Sequence, residues 1–414
     1  MCSVEAATRS AGLSACSASS RAMGCSPWLS WDASVIGGRA CHVPGENGSP
    51  IVASHLLAGF PDGGGRRRGV ESPAMKNLPF RCLVLGFLLV RASAGAGEPV
   101  RPVVNREYLP AVLDLINGAT NSIEFLQLEM HDDRAVGAIE AALAAAVKRG
   151  VRVRGMLDDG VDFNAAAVER LLAFGAEAKL DTPVKMTHSK LVIVDGRIVL
   201  LGSTNWTGNS MGNNNETNVR LDDPVLAGAL TRYFAALWAN SAAEPDLPAV
   251  ESGAVKTVVN RQYFPEVLGL FNAATQRIRV VMYGINYSPK YAGGKVNQLV
   301  EALAAARARG VDVAVAIDLS DYNALLNKVN APAKKFLADA GVAVFDDSLK
   351  TTTHAKLVVA DGCAVIGSVN WGKDALENRN ETCVAIRDPA IVEAFAAYFE
   401  RVVAGGAPVA GPEP

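Results

Sequence analysis

The feature that most constrains this chain is an internal duplication. The decapeptide THSKLVIVDG at 187–196 returns as THAKLVVADG at 353–362, with seven of ten letters identical. The pentapeptide GSTNW at 202–206 likewise returns as GSVNW at 367–371. A polar cluster repeated at nearly the same spacing indicates that the chain builds one local structure twice.

The duplication extends well beyond these motifs. VVNREYLPAVLDLINGAT at 103–120 matches a segment that starts at Val258, VVNRQYFPEVLGLFNAAT. We therefore predict two homologous lobes, 97–240 and 256–405. The stretch 241–255 between them is rich in Pro, Ala and acidic residues, which is typical of a linker.

Periodicities within each copy predict alternating helices and strands. In the first copy an amphipathic helix (105–118) precedes the strand SIEFLQLEM, an alanine-rich helix ends at Gly150, and a hairpin forms around Asp195-Gly196. This alternation with a late hairpin predicts an α/β fold with a mixed sheet. We expect two tandem α/β lobes, each a mixed β-sheet flanked by helices, packed as a pseudo-twofold dimer with one active site between them.

The N-terminal region differs from the rest of the chain. Residues 1–74 show no sustained periodicity and stay unassigned, either as a disordered stretch or as a mis-called upstream extension. From Met75, basic residues precede an apolar run and small-residue sites, so 75–96 has the pattern of a secretory signal peptide. A disordered leader before a short hydrophobic helix is the alternative. The signal-peptide interpretation predicts translation from Met75 and a secreted or periplasmic protein.

Charge and cysteine usage narrow the function classes. The chain has a net charge of −2, but residues 95–414 hold 31 Lys and Arg against 37 Asp and Glu. This acidic balance argues against a broad nucleic-acid surface, although a local groove could still be basic. Beyond the signal segment only Cys363 and Cys383 remain, as buried thiols or as a disulfide. Neither state supports a cysteine-based metal site.

Each copy carries the same set of polar groups. Residues two apart in a strand face the same side, so we expect the His and Lys of each H-x-K to project together from a strand. Each G-S-x-N adds a hydroxyl and a carboxamide, and a Glu lies thirteen residues beyond each serine. The first copy contributes His188, Lys190, Ser203, Asn205 and Glu216, and the second contributes His354, Lys356, Ser368, Asn370 and Glu381.

Two facing imidazoles suit the cleavage of a phosphodiester. One neutral imidazole can attack phosphorus while the second, protonated, donates to the leaving oxygen. The lysines, with the Asn and Ser side chains, would hold the phosphate oxygens, and each Glu would orient a histidine. Because the chain itself supplies the positive charge, we predict no metal and no cofactor.

Other repeated polar and aromatic residues favour structural roles. Asp195 and Asp361 each precede a glycine in a turn, where an aspartate commonly bonds the backbone. For Trp206 and Trp371 we favour core packing over stacking on a substrate.

Unmatched or weakly patterned residues are harder to assign. Asp158 and Asp318 favour loop or helix caps over ligands. We interpret His131 as an incidental loop residue, with headgroup contact as the alternative. The insertion 285–297 is predicted to form a lip of the cleft that governs substrate choice, through Tyr287, Lys290, Tyr291 and Lys295; a surface loop with no role is the alternative.

At these residues the sequence resembles the phospholipase D superfamily, whose signature HxKx4Dx6GSxN usually occurs twice. The first copy fits it fully, whereas the second has five residues between Asp361 and Gly367, which predicts a tighter hairpin. The resemblance spans 97–405. It implies a two-step reaction through a phosphohistidine, with His188 as nucleophile and His354 as acid and then base.

The resemblance leaves the substrate open. The favoured hypothesis is an exported, monomeric phospholipase D-type phosphodiesterase that hydrolyses or transfers phosphatidyl groups, with transient contact to a membrane surface. The alternative is a secreted metal-independent endonuclease, the only case in which nucleic acid is a partner. A phosphate-binding module without catalysis is a third hypothesis, against which both complete motifs argue.

Overall fold

In the computed structural model the described residues are 99–409. The predicted signal peptide (75–96) and the stretch 1–74 therefore lie outside the described residues. None of the helices within the described range is long and apolar enough to cross a membrane.

The first lobe contains seven strands and five helices. The strands are β1 Val100–Val104, β2 Ser122–Gln127, β3 Arg152–Leu157, β4 Glu177–Leu180, β5 Leu191–Val194, β6 Ile198–Gly202 and β7 Thr217–Asp222. The helices are α1 Tyr108–Gly118, α2 Arg134–Lys148, α3 Asn164–Ala173, α4 Gly208–Gly212 and α5 Pro224–Ala239.

The second lobe repeats this order with two additional short strands. Its strands are β8 Glu251–Ser252, β9 Val255–Val259, β10 Arg277–Met282, β11 Asp312–Ile317, β12 Ala343–Asp346, β13 Lys356–Ala360, β14 Cys363–Gly367, β15 Thr382–Ile386 and β16 Ala407–Pro408. Its helices are α6 Tyr263–Ala273, α7 Lys295–Ala308, α8 Ala324–Asp339, α9 Lys373–Glu377 and α10 Pro389–Ala404.

Both sheets are mixed and share one topology. The first has the strand order β1-β7-β6-β5-β2-β3-β4, and the second has the same order of equivalents, with β8 and β16 added at its two edges. In each sheet three neighbouring strands are parallel (β2, β3 and β4, or β10, β11 and β12) and the hairpin strands are antiparallel. The predicted mixed α/β fold in two tandem lobes is confirmed.

The second lobe begins earlier in the chain than predicted. The interval 241–255, predicted as a linker, already contains β8 and the first residue of β9, which pair as a hairpin at the edge of the second sheet. Gly253 lies in the turn between β8 and β9, and its φ of +55° is a conformation that glycine adopts without strain.

The last helix of each lobe begins at a strong start signal. Asp223 precedes Pro224, and its Oδ1 accepts the N–H groups of Val225 and Leu226. Asp388 caps α10 in the same way, again before a proline. An aspartate at the N-cap with proline in the first turn satisfies donors that have no partner within the helix.

These two helices form a core that the lobes share. Apolar side chains of α5 and α10 pack with those of both sheets in one cluster, and Phe234 and Phe395 are fully buried in it. Separate clusters lie under α1, α2 and α3 in the first lobe and under α6, α7 and α8 in the second. Full burial of one large apolar side chain contributes about 1.5–3 kcal/mol, so this shared cluster joins the lobes as a domain core would.

Candidate active site

Strand directions bring the polar cluster of each lobe to one sheet edge. In the first lobe, His188 precedes β5, Ser203 follows β6, and Glu216 precedes β7. Because β5, β6 and β7 are successively antiparallel, the start of β5, the end of β6 and the start of β7 share one edge. The equivalent residues of the second lobe lie at the same edge of its own sheet.

The two edges meet, and the Glu–His pairs cross between lobes. His188 Nδ1 lies 2.9 Å from Oε2 of Glu381, and His354 Nδ1 lies 3.2 Å from both carboxylate oxygens of Glu216. The backbone crosses too, since the N–H of His188 donates to the carbonyl of Asn380 at 2.9 Å. The site is therefore one composite structure in which each histidine is held by the opposite lobe.

The serines and lysines complete each pair. Ser203 Oγ donates to Glu216 and Ser368 Oγ donates to Glu381, both at 2.5 Å. Complete burial by itself would raise the pKa of each glutamate. For Glu216, the charges of His354 and Lys356 and the hydrogen bond from Ser203 outweigh burial and hold the pKa below its usual value. The pKa of Glu381 is lowered against burial by His188, Lys190 and Arg379. Both carboxylates are therefore ionised at neutral pH.

The lysines and asparagines place polar groups beside the histidines. Lys190 Nζ donates to the His188 carbonyl at 2.7 Å, and Lys356 Nζ donates to that of His354 at 2.5 Å. Asn370 is 6% exposed, and neither atom of its carboxamide bonds another described residue. A buried carboxamide in this situation is costly unless it binds a ligand.

The H-x-K motif differs from its predicted setting inside a strand. His188 and Lys190 precede β5, and His354 precedes β13, which begins at Lys356. The segment before β5 pairs with the other lobe instead of with its own sheet: the N–H of His188 donates to the carbonyl of Asn380, and the N–H of Asn380 donates to the carbonyl of Met186, which forms an isolated bridge between Thr187 and Asn380. Asn215 and Thr353 make the equivalent bridge.

Asp195 and Asp361 lie at the far end of each hairpin, away from the histidines. Asp195 accepts the backbone N–H groups of Thr120, Asn121 and Ser122, and its φ of 54° places it in the left-handed region. Asp361 makes the same contacts to 275–277. These hydrogen bonds lower the pKa of both carboxyls against the effect of burial. Their contacts are structural.

The second hairpin is one residue tighter, as predicted. Ala360 pairs with Cys363 across a two-residue turn, whereas Val194 pairs with Ile198. The strand pairing beyond the turn is equivalent in the two lobes, so the shorter turn leaves Ser368 at the site.

Two supporting asparagines were missed in the sequence. Asn105 and Asn260 have φ of 52° and 50°, and their Oδ1 atoms accept the backbone N–H of Glu216 and Glu381, each at 2.8 Å. Tyr233 of α5 donates to Asn260 at 2.7 Å, so this support also crosses between lobes. The repeated VVNR tetrapeptide was the signal that could have identified them.

A pair of acids holds the segment that precedes each histidine. The N–H of Thr187 donates to Oδ2 of Asp158 and of Asp181, both at 2.9 Å. Burial raises the pKa of these two acids, to about 6 and about 7. In the second lobe the N–H of Thr353 donates to Asp318 at 2.7 Å, and burial with the neighbouring Asp347 raises the pKa of Asp318.

The first of these pairs is also where a cation could be held. Oxygens of Asp158, Asp159 and Asp181 lie within 4.8 Å of one another. However, two of these carboxylates already accept the Thr187 N–H, and the equivalent of Asp159 in the second lobe is Leu319. We assign these acids to positioning of the histidine segment.

The remaining aromatic and sulfur groups are structural. Trp206 and Trp371 are fully buried and donate to Tyr108 and Tyr263, which confirms core packing. His131 packs edge-on against Phe163, with ring centroids 4.2 Å apart, and lies 3.4 Å from Glu129. The two cysteines, Cys363 and Cys383, are buried free thiols.

The insertion 285–297 divides into buried and exposed parts. Tyr287, expected at the lip, is buried and packs against Phe336 with ring centroids 4.8 Å apart. Lys295 begins α7 and lies over the Phe264 ring. Only the segment around Tyr291 projects into solvent, with Tyr291 57% exposed.

Similarity to known proteins agrees with this geometry. A family profile described as "Cardiolipin synthase, PLD-like domain" matches residues 112–238 and 267–403, one match in each lobe. These segments cover more than half of the chain. The chain belongs to this family of phospholipase D-like proteins.

Individual relatives are more distant. Cardiolipin synthase A of Proteus mirabilis (strain HI4320) is 26% identical over 68% of this chain and 64% of its own length. Mitochondrial cardiolipin hydrolase of Chlamydomonas reinhardtii is 29% identical over 31% of this chain and 57% of its own length. The chain thus spans less than two thirds of either relative.

A solved structure shares the fold. Phosphatidylserine synthase from Haemophilus influenzae Rd KW20 superposes with a TM-score of 0.62 at 13% identity, over 75% of this chain and 87% of its own. The overall fold of the two lobes is therefore shared with a solved structure.

Proposed function

We propose that this protein is a phosphodiesterase of phospholipase D type that hydrolyses or transfers phosphatidyl groups without a metal ion. The observation that carries the proposal is the reciprocal crossing of Glu381 to His188 and Glu216 to His354, which places both imidazoles in one composite site. The lipid substrate is supported by the cardiolipin synthase relative and by the acidic balance of the chain.

The glutamates define which nitrogen does the chemistry. Each ionised carboxylate accepts from Nδ1–H, so that the chemistry falls to Nε2. In the first step Nε2 of His188 attacks phosphorus, a P–N bond forms, and the P–O bond to the alcohol breaks. The leaving oxygen takes a proton from Nε2 of His354. The lysines and the carboxamides of Asn205 and Asn370 stabilise the charge on the phosphate oxygens.

The second step returns the enzyme to its starting state. Water or an alcohol attacks phosphorus and gives its proton to Nε2 of His354, and the P–N bond to His188 breaks. The choice between water and an alcohol decides whether the reaction is hydrolysis or transfer. A phosphohistidine on His188 is the intermediate of this proposal.

A substrate panel tests the reaction class. The full chain in EDTA is assayed on phosphatidylcholine, phosphatidylglycerol and plasmid DNA, with glycerol added as an alternative acceptor. We expect turnover of lipid without nicking of DNA. Nicking without lipid turnover would establish the endonuclease instead, and failure on every diester would leave a binding module.

A burst experiment tests the roles of the two histidines. Bis(p-nitrophenyl) phosphate has a leaving group that needs little acid catalysis, so His354→Ala should release one equivalent of p-nitrophenol and then stall. His188→Ala should give no burst. Because Glu216 orients His354, Glu216→Gln should also give a burst with steady turnover about 10²–10⁴-fold slower. A burst in His188→Ala would instead identify His354 as the nucleophile and His188 as the acid.

A further inference from the structure

Exposed apolar side chains cluster at one edge of the second lobe, whereas the equivalent loops of the first lobe carry one, Val184, at 68%. Seven large apolar residues of the described chain are half or more exposed. Four of them follow parallel strands of the second sheet: Tyr291 at 57%, Tyr322 at 63%, Leu325 at 66% and Leu349 at 54%. We call these four residues the second-lobe lip.

The topology puts this lip at the edge of the active site. Tyr291 follows β10, Tyr322 and Leu325 follow β11, and Leu349 follows β12. The carboxyl ends of parallel strands share one edge, and β13 runs antiparallel to β10, so His354 at its start lies at that edge. Tyr322 Oη lies 3.0 Å from Oγ1 of Thr352, two residues before His354.

Charge distinguishes this rim from the rim of the first lobe. Exposed lysines accompany the lip at Lys290, Lys328 and Lys350, against one exposed carboxylate, Asp321, in the segments 283–294, 318–328 and 347–353. In the equivalent loops of the first lobe the exposed charged residues are Asp132, Arg134 and Asp162, and the carboxylates of Asp133, Asp159 and Asp181 are half-buried. Lys185, in the same rim, is buried and paired with Glu244 at 2.6 Å.

We propose that the second-lobe lip docks the protein on an anionic lipid bilayer. Surfaces that bind membranes combine tyrosine, lysine and aliphatic side chains. The tyrosine rings lie at the level of the headgroups, and the lysines are attracted to anionic lipids. The first-lobe rim has one exposed apolar residue, Val184, and two exposed carboxylates, Asp132 and Asp162, so the contact is made mainly through the second lobe. This inference rests on the proposed action on phosphatidyl lipids and adds the orientation in which a headgroup reaches His354.

Vesicle binding by the full chain tests the surface. A lip variant combines Tyr291→Ser, Tyr322→Ser, Leu325→Gln and Leu349→Gln, and a matched control combines Leu172→Gln and Val225→Gln, which are similarly exposed elsewhere. Each is sedimented with vesicles of phosphatidylcholine containing phosphatidylglycerol. We expect at least a ten-fold loss of binding for the lip variant and wild-type binding for the control.

A charge variant and a soluble substrate complete the design. Lys290→Gln with Lys328→Gln and Lys350→Gln should lose about five-fold in binding per lysine on anionic vesicles and little on phosphatidylcholine alone. All variants should keep wild-type turnover of bis(p-nitrophenyl) phosphate, which shows an intact site.

The outcomes separate this inference from the proposed function. Equal binding by the lip variant and the control, or no binding by the wild type, overturns the lip even if lipid is turned over. Loss of binding confined to the lip variant supports the lip even if no phosphatidyl lipid is cleaved, and in that case the proposed substrate alone fails.

Discussion

At the scale of single residues, the acids behind the histidines are unusual because they lie side by side, three of them buried and Asp181 half-buried. Asp158 and Asp181 share the N–H of Thr187, and Asp318 and Asp347 adjoin each other below Thr353. Desolvation favours the neutral form of a carboxyl group. A pair of this kind therefore holds a proton at a pH where an exposed aspartate has lost it.

The first acid pair leads to a prediction about stability and pH. Its pKa values, raised to about 6 and about 7, exceed those of an unfolded aspartate near 3.9, so the folded chain binds more protons between these limits. Stability from this pair is present at low pH and is lost as the pH rises through about 7. Asp181→Asn cannot ionise, so we expect its urea midpoint to fall less than that of the wild type between pH 5 and pH 8.

The informative measurement is the difference between the urea midpoints at pH 5 and at pH 8. Because an amide offers one acceptor oxygen fewer than a carboxylate, we expect Asp181→Asn to have a lower urea midpoint than the wild type at every pH. Asp162→Asn, an exposed acid in the neighbouring loop, should keep the wild-type dependence. An unchanged dependence in Asp181→Asn would show that this aspartate is ionised throughout.

At the scale of the elements, the glycine of each G-S-x-N motif has a packing reason. A Cβ at Gly202 would lie 2.3 Å from the carbonyl oxygen of Thr217, and one at Gly367 would lie 2.3 Å from that of Thr382. These contacts are with backbone of the neighbouring strand, so no side chain can move aside. The close approach is what brings the following serine within reach of its glutamate.

Substitution of this glycine should therefore loosen the site as well as the sheet. Gly202→Ala is expected to cost about 1–3 kcal/mol or more in the free energy of unfolding, as overpacking does. It should also slow turnover, since the Ser203–Glu216 contact depends on that approach. Gly269→Ala in α6, where nothing lies within 4 Å, should instead gain about 0.4–1 kcal/mol. Urea denaturation of both variants measures the contrast, and equal effects would contradict it.

Much of each lobe could be predicted from periodicity, and the exceptions are informative. Strands β2 and β3 and the long helices follow clear apolar patterns, whereas β1, β4 and β7 were not predicted. β7 was missed because it starts with Thr217 and Asn218, polar residues that are buried at the edge of the site. A strand that supports a polar site lacks the alternation that identifies an ordinary strand.

The crossing of the lobes could not be predicted from sequence. Because the motifs of the two copies are nearly identical, the sequence does not decide whether Glu216 pairs with His188 or with His354. Three-dimensional packing decides the question, because the shared core turns the two edges toward each other. The sequence identified the groups of the site, and the fold determined their partners.

At the scale of the whole molecule, the two lobes hold one another's active-site residues. Tyr233 of the first lobe bonds Asn260 of the second, and Tyr398 of the second bonds Asn105 of the first at 3.2 Å. The glutamate–histidine pairs are reciprocal in the same way. A single lobe therefore lacks the glutamate that contacts its own histidine, so the proposed site requires both lobes.

Because packing and not the linker joins the lobes, cutting the linker should leave the protein assembled. A protease site inserted between Ala242 and Ala243, both exposed, allows cleavage after folding. We expect the two fragments to elute together on gel filtration and to retain the turnover of the uncut protein. The same cut in Phe234→Ala with Phe395→Ala should release the fragments, since each truncation costs about 3–5 kcal/mol of the shared core. Separation of the fragments in the otherwise wild-type chain would mean that the linker, and not the reciprocal contacts, holds the site together.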